Sequence, residues 1–145
     1  MREVKTEIVI DAPREKVWQV LTDFDAYGNW NPVIKDVKAT PQVNRSIRFK
    51  INLFGQKLPI AAKIQRCEEN WYFGWGTDTS LPSNHIIGAH HFFELNPEGD
   101  NKTRLVHNEI FYGIVPKIVW PVLKKLKGSY EDMNQSLKTE CESAA

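Results

Sequence analysis

The chain has 145 residues, of which 41% are hydrophobic, and this length fits one domain of ordinary size. Its 19 basic and 18 acidic residues nearly balance, which argues against an extended surface for nucleic acid or anionic membrane. The segment 1–7 lacks the apolar run of a signal peptide, and no apolar stretch approaches the ~20 residues of a membrane span. We therefore expect residues 1–145 to form one soluble, cytoplasmic domain whose contact with membranes is at most transient.

Alternation of apolar and polar residues predicts the first strand over residues 3–11. A short helix is predicted from Pro13 to about Thr22, because proline suits a first helical turn, and a second short helical turn covers 23–28. The same alternation, with turn residues between the runs, predicts six further strands. They cover residues 33–40, 46–53, 57–67, 72–76, 86–95 and 103–112.

The apolar period changes in the last third of the chain. Apolar residues such as Leu126 and Met133 recur there at mostly helical spacing, so a long helix is predicted over residues 116–142. Pro121 and Gly128 are expected to kink or interrupt its N-terminal part. Strands that are segregated from terminal helices in this way indicate an α+β fold with a mostly antiparallel sheet.

Five segments carry a resemblance to a known family: IDAPREKVWQVLTDF (10–24), YGNWNP (27–32), HFFELNP (91–97), TRLVHNE (103–109) and MNQSLK (133–138). Together they resemble the START-like, or SRPBCC, superfamily, with the polyketide cyclase/dehydrase and lipid-transport group as the nearest branch. The resemblance implies the helix-grip fold, a seven-stranded curved antiparallel sheet around a long C-terminal helix, with two short helices after the first strand. It also implies a hydrophobic cavity between sheet and helix, but little about function, because proteins that share a fold differ in function.

The last two strands place histidines on the inward face of the sheet. A loop centred near Gly99 would pair Phe93 with Leu105 and His91 with His107. The inward face of this hairpin would then be apolar at one end and polar at the other.

The preceding hairpin adds aromatic residues to the same face. A tight turn at residues 69–70 would pair Arg66 with Phe73 and Ile64 with Trp75. The resulting inward set has apolar walls and few polar groups, as small-molecule sites have. The residues predicted to line a cavity are Phe49, Ile51, Ile64, Arg66, Phe73, Trp75, His91, Phe93, Leu105, His107, Glu109, Val119, Val122 and Leu126. A solid core built from the same residues is the alternative.

His91, His107 and Glu109 form the polar part of the predicted cavity. A carboxylate that orients a histidine raises its basicity, so these side chains are candidates for the general base of an aldol-type cyclisation. The alternative is an internal hydrogen-bonded cluster that only orients strands or a ligand. Arg66 would pair with Glu109 or with a ligand carboxylate, unless it forms a salt bridge near the surface.

The sequence favours neither a metal site nor a cofactor. His90 and His91 are adjacent on a predicted strand and point to opposite faces, and no HxH, HExxH or CxxC spacing occurs. Nucleophile elbows, phosphate-binding loops and dinucleotide fingerprints are also missing from the sequence. Cys67 and Cys141 are expected to be free thiols.

Three segments, 54–56, 77–85 and 114–120, are expected to frame the entrance of the cavity. Four lysines between residues 117 and 127 cluster beside Trp120. They would form a basic-aromatic rim that touches anionic lipid headgroups, or simply a solvated helix face.

Three functions remain open at the level of the sequence. The first is the binding or transport of a hydrophobic small molecule such as a lipid, a polyketide or an aromatic metabolite. The second is a cyclase/aromatase-type enzyme, which the absence of a committed catalytic motif makes less favoured. The third, which the resemblance brings with it, is a coenzyme Q-binding or protein-partner module. The oligomeric state, monomer or dimer, is not indicated.

Overall fold

A computed structural model describes residues 1–77 and 82–143 and shows a single sheet of seven antiparallel strands. The strands are β1 (Arg2–Ile10), β2 (Ile34–Ala39), β3 (Ser46–Leu53), β4 (Gln56–Glu68), β5 (Tyr72–Gly76), β6 (Gly88–Pro97) and β7 (Thr103–Tyr112). Their order across the sheet is β1-β7-β6-β5-β4-β3-β2, so each neighbouring pair except β1 and β7 is also consecutive in sequence. The predicted α+β class and the curved helix-grip sheet are both confirmed.

Two short helices follow β1, as predicted: α1 (Arg14–Thr22) and α2 (Tyr27–Trp30), joined by a 3₁₀ turn at Phe24–Ala26. Up to residue 143, the last third of the chain contains three helices, α3 (Ile114–Ile118), α4 (Trp120–Leu123) and α5 (Leu126–Glu142). No helix within the described ranges is long and apolar enough to cross a membrane.

The buried side of α5 packs against the sheet. Its buried apolar residues recur every three or four positions and therefore lie on one helix face. They are Leu126, Tyr130, Met133, Leu137 and Cys141. The last three join residues of α1 and of the sheet in the main core, whereas Leu126 and Tyr130 belong to a smaller cluster with Val4 and Phe111. Apolar burial of this kind supplies most of the driving force for folding.

The C-terminal helix is interrupted, but not at both expected positions. The first interruption lies at Val119, just before Pro121, because a proline cannot donate the backbone hydrogen bond that would continue α3. The second lies at residues 124–125. Gly128 was expected to break the helix but lies inside α5, where a single glycine is tolerated.

The β6–β7 hairpin has a different register from the predicted one. Its turn is centred one residue later, at Asp100, because Gly99 and Asn101 both adopt positive φ and the Glu98 N–H donates to the Lys102 carbonyl. His91 therefore lies opposite Glu109, and His107 lies opposite Phe93. The resulting shift of two residues changes partners but leaves every side chain on its predicted face.

A β-bulge in β4 changes the position of Arg66. The pairing of Ile64 with Trp75 is as predicted, but Arg66 lies opposite Gly74 instead of Phe73 because the register shifts by one residue between Ile64 and Arg66. The shift turns the Arg66 side chain to the outer face, where it pairs with Glu68. The guanidinium carbon lies 4.0 Å from the centre of the Tyr72 ring. The prediction that Arg66 contacts Glu109 is therefore wrong.

Candidate functional site

A pocket of about 420 Å³ lies between the inner face of the sheet and the first turns of α5. Its walls come from β2 to β7 and are mostly aliphatic and aromatic. The wall residues include Ile34, Phe49, Ile51, Ile60, Ala62, Trp75, Ile87, Gly88, Ala89, His91, Glu109, Phe111 and Tyr130. The volume falls within the range of small-molecule sites, and the combination of apolar walls with two ionisable side chains is typical of them.

Five of the residues predicted to line a cavity meet at this pocket. They are Phe49, Ile51, Trp75, His91 and Glu109. Alternation in β3, β5, β6 and β7 places them on the inner face, as the sequence indicated. His107 lies directly behind His91 and is fully buried, so it supports the wall without lining it.

The other predicted residues lie elsewhere. Ile64, Phe73, Phe93 and Leu105 point inward but are fully buried in the packed core beyond the pocket. Leu126 belongs to the smaller core cluster beside the pocket. Val119 and Val122 are exposed and lie in the interrupted segment that precedes α5.

Tyr130 is the main residue that the sequence analysis missed. It lines the pocket and its hydroxyl donates a hydrogen bond to Glu109 Oε1. A signal was present in the sequence, because Tyr130 follows Leu126 by four residues and precedes Met133 by three, which is the spacing of one helix face. Ile34, Ala62, Ala89 and the other wall residues carry only the weaker signal of inward alternation.

A chain of buried hydrogen bonds fixes the orientation of His107. The Thr6 hydroxyl donates to the His107 backbone carbonyl, 2.8 Å away, because a carbonyl can only accept. Thr6 Oγ1 in turn accepts from Asn134 Nδ2 at 2.8 Å, so Asn134 Oδ1 faces His107 Nδ1 at 2.7 Å. The amide oxygen requires a donor, and His107 Nδ1 therefore carries a proton.

The tautomer of His107 determines the direction of its hydrogen bond with His91. Burial lowers the pKa of His107 well below its ordinary value, and the neighbouring His91 lowers it further, so the His107 ring is neutral. With its proton on Nδ1, the neutral ring accepts at Nε2. His91 Nε2 lies 2.7 Å away and must be the donor.

His91 faces Glu109 at the pocket wall. His91 Nδ1 lies 3.5 Å from Glu109 Oε1, and both side chains line the pocket. Because His91 Nε2 is engaged by His107, Nδ1 is the ring nitrogen that a ligand can contact. The pocket wall thus presents an imidazole and a carboxyl group side by side.

Aromatic stacking holds the polar groups in place. The His91 ring stacks on Trp75 with 4.6 Å between centroids and 11° between planes. The His107 ring stacks on Tyr130 at 4.6 Å. Burial raises the pKa of Tyr130 well above its ordinary value, and the charge of Glu109 raises it further, so the phenol remains a hydrogen-bond donor.

A second, larger groove of about 830 Å³ lies between the turn at Phe24–Ala26 and strands β2 to β4. It is open to solvent and its charged rim includes Asp25, Lys38 and Arg48. Its lining residues Lys50 and Asp36 form an ion pair at 3.5 Å, but both side chains are exposed, unlike the buried polar groups at His91. We therefore treat the smaller pocket as the candidate site.

Metal ligation has no geometric support in the described part of the chain. Among residues 1–77 and 82–143, no three His, Cys, Asp or Glu side chains lie close enough to share an ion.

The entrance segment predicted over 77–85 is partly outside the described residues, since 78–81 are not covered.

Fold and pocket together define a START-like helix-grip protein: an antiparallel sheet, a long C-terminal helix and an apolar pocket between them with polar groups at one wall. The family model for polyketide cyclase/dehydrase and lipid transport matches residues 1–142. The chain therefore belongs to the polyketide cyclase/dehydrase and lipid transport family.

Solved structures support the fold. A protein of Thermus thermophilus is 18% identical with a TM-score of 0.76, covering 99% of both chains. The Zhui aromatase/cyclase of a Streptomyces species is 15% identical with a TM-score of 0.77, over 97% of this chain and 93% of that one. A START superfamily protein of Mycobacterium smegmatis is 23% identical with a TM-score of 0.75, over 97% of each chain. Among curated proteins, the sequence has no significant match.

Proposed function

We propose that this protein binds and carries an apolar small molecule in the pocket at Trp75, with a polar group of the ligand directed at His91 and Glu109. The observation that carries the proposal is the pocket itself, about 420 Å³ of mostly apolar wall with its ionisable groups side by side on β6 and β7. Such a wall favours an apolar skeleton, and the pair favours a ligand hydroxyl, carbonyl or enol.

The state of the polar groups favours binding over catalysis. His107 uses both ring nitrogens within the protein, and the Tyr130 hydroxyl is taken by Glu109. Groups that satisfy one another are held rigidly and orient a ligand well. A residue committed to such contacts is less available for proton transfer to a substrate.

Native mass spectrometry tests the proposal. Protein purified without detergent is expected to carry, or to take up from a metabolite extract, a stoichiometric small molecule that is released on denaturation. The Trp75→Ala variant should lose it, because the ring forms a wall of the pocket. The matched control is Trp71→Ala, since Trp71 is an exposed ring on the turn before β5. An absence of any bound species, with no thermal shift against fatty acids, sterols and polyketides, would exclude the binding role.

Acid–base catalysis is the second candidate, and one observation favours it: an imidazole and a carboxyl group, His91 Nδ1 and Glu109 Oε1, lie 3.5 Å apart at the pocket wall. A pair of this kind could protonate or deprotonate a substrate carbon or oxygen during a cyclisation. The similarity in fold to an aromatase/cyclase is consistent with this candidate.

Replacement of His91 by Ala separates the two candidates once a ligand is known. A carrier is expected to lose about tenfold or less in affinity and to show no turnover with or without His91. An enzyme would show turnover that falls by several orders of magnitude in the variant, with a smaller change in binding.

A further inference from the structure

One end of the sheet combines exposed aliphatic side chains with positive charge. Strands β1, β4 and β6 begin at this end, and β3, β5 and β7 end there. We call it the open end, because the pocket wall residues Ile87, Gly88 and Ala89 lie at it. Its described parts are residues 1–2, 53–58, 82–89 and 113–127.

Large aliphatic side chains at the open end point into solvent. Ile114 and Ile118 are one helical turn apart in α3 and are 58% and 70% exposed. Ile86 and Ile87 are 56% and 52% exposed. The Val115 N–H donates to the Ile86 carbonyl at 2.9 Å, so the two exposed pairs are held beside each other. A group of exposed isoleucines is unusual on a protein surface that faces only water.

The charged side chains in the described parts of the open end have one sign. Its described residues include six cations and neither Asp nor Glu. The cations are Arg2, Lys57, Lys117, Lys124, Lys125 and Lys127. The turns at the opposite end of the sheet, the far end, carry Glu68, Glu69, Glu98 and Asp100 beside Arg45 and Lys102. A chain with a net charge of only +1 thus has its positive charge concentrated around the exposed isoleucines.

We propose that the open end docks transiently on an anionic lipid bilayer, with the isoleucines of α3 entering the apolar layer and the lysines contacting headgroup phosphates. A bilayer surface offers negative charge directly above an apolar layer, which is the same order in which the open end presents its lysines and isoleucines. A second copy of the chain is a poor partner, because two such ends would bring like charges together. Docking places the pocket beside the membrane, so an apolar ligand would transfer without crossing water.

Co-sedimentation with vesicles tests the docking. We expect the protein to bind phosphatidylcholine vesicles that contain about one-third phosphatidylglycerol at least tenfold better than pure phosphatidylcholine vesicles. High salt should weaken this binding, because the lysines act through screened electrostatic attraction. Equal binding to both vesicle types, or no binding to either, overturns the proposal. If the protein binds neither vesicle type, an acidic protein would be the alternative partner of the open end.

Paired variants identify the surface. Ile114→Glu/Ile118→Glu and Lys124→Glu/Lys125→Glu should each reduce binding to the anionic vesicles by about tenfold or more. Val43→Glu and Lys102→Glu, at exposed positions of the far end, are the matched controls and should bind as the parent protein does. Equal losses in variants and controls would show that the open end is not the docking surface.

Vesicle docking and ligand binding in the pocket can be tested separately. The Lys124→Glu/Lys125→Glu protein should bind the neutral probe N-phenyl-1-naphthylamine as the parent does, because both lysines are exposed and outside the pocket. Trp75→Ala should lose the probe but keep the vesicles. An unchanged melting temperature in each variant confirms that folding is intact.

Discussion

The inner face of the sheet has two regions that the same strands build. At the far end, Phe73 and Phe93 are fully buried in a packed core. Trp75 and His91 each lie two positions closer to the open end on the same strands, and they line a pocket of about 420 Å³. Alternation assigns both regions to one face, so the difference between them arises from what covers the face.

The two regions differ in how many helices cover them. The packed region is covered by α1, through Val17 and Leu21, and by the later turns of α5, through Met133 and Leu137. The pocket region is covered mainly by the first turns of α5, where Tyr130 lies. A face that one short stretch of helix covers keeps space for a ligand, whereas a face that two helices cover is filled.

The largest expected effect is a difference between identical substitutions in the two regions. Ile64→Ala, at a fully buried position of the packed core, should lower the free energy of unfolding by about 2–5 kcal/mol. Ile51→Ala, at the pocket wall, should cost about 1 kcal/mol, because the side chain is only partly buried and leaves little new cavity. Urea unfolding measures both. Similar losses would show that the pocket region is packed like the core.

The pH dependence of stability tests the buried His107. Its pKa is lowered in the folded state, so the unfolded chain binds more protons below about pH 6.5. Stability should therefore fall as the pH drops from about 6.5 to 5.5, by at most about 1.4 kcal/mol per pH unit from this group. His90 adds a smaller loss of the same sign, because burial lowers its pKa too.

Variants assign this slope to the network. His107→Gln should be less stable at neutral pH and should show a shallower loss on acidification. His85→Gln replaces an exposed histidine outside the network and should keep the parent slope. A His107→Gln protein with the full parent slope would contradict the neutral, buried ring.

A smaller effect is expected at Tyr130. Tyr130→Phe removes the hydrogen bond to Glu109 but keeps the ring, so stability should fall by about 1 kcal/mol. The ring proton signals of His91 should shift at the same time, because Glu109, which faces His91 Nδ1, loses one hydrogen-bond donor. Unchanged signals, measured by NMR, would argue against coupling between Tyr130 and the His91–Glu109 pair.

The smallest effect is expected at Gly128, outside both regions. A β-carbon added there would meet no atom within 4 Å, and the residue lies inside α5. Gly128→Ala should therefore raise the free energy of unfolding by about 0.5–1 kcal/mol. Gly76→Ala is the contrasting variant, because a β-carbon would overlap the Ala89 carbonyl and should destabilise the protein.

Sequence patterns predicted the faces of strands well and their partners less well. Trp75, His91 and Glu109 were placed inward because alternation depends only on the residue itself and its neighbours. The pairing of His91 with Glu109 was missed because it depends on the left-handed conformations of Gly99 and Asn101 in the turn. Local sequence does not fix whether such a turn is centred on Gly99 or one residue later.

The bulge and the depth of the pocket needed the three-dimensional structure. No residue type between Ile64 and Arg66 marks a bulge, yet it alone moves Arg66 from the inner to the outer face. The division between core and pocket depends on where α1 and the first turns of α5 lie over the sheet. Such long-range packing is absent from any local pattern.

Occupation of the pocket is the central claim, and a pocket-filling variant tests it most directly. Ala62 is half-buried and lines the pocket from β4, while its neighbour Lys63 is exposed. In fluorescence titrations with N-phenyl-1-naphthylamine, Ala62→Phe should bind the probe about tenfold or more weakly than the parent protein, because its ring occupies ligand space. Lys63→Phe should bind within about twofold of the parent. Equal affinity in Ala62→Phe, Lys63→Phe and the parent would contradict the assignment of this pocket as the binding site.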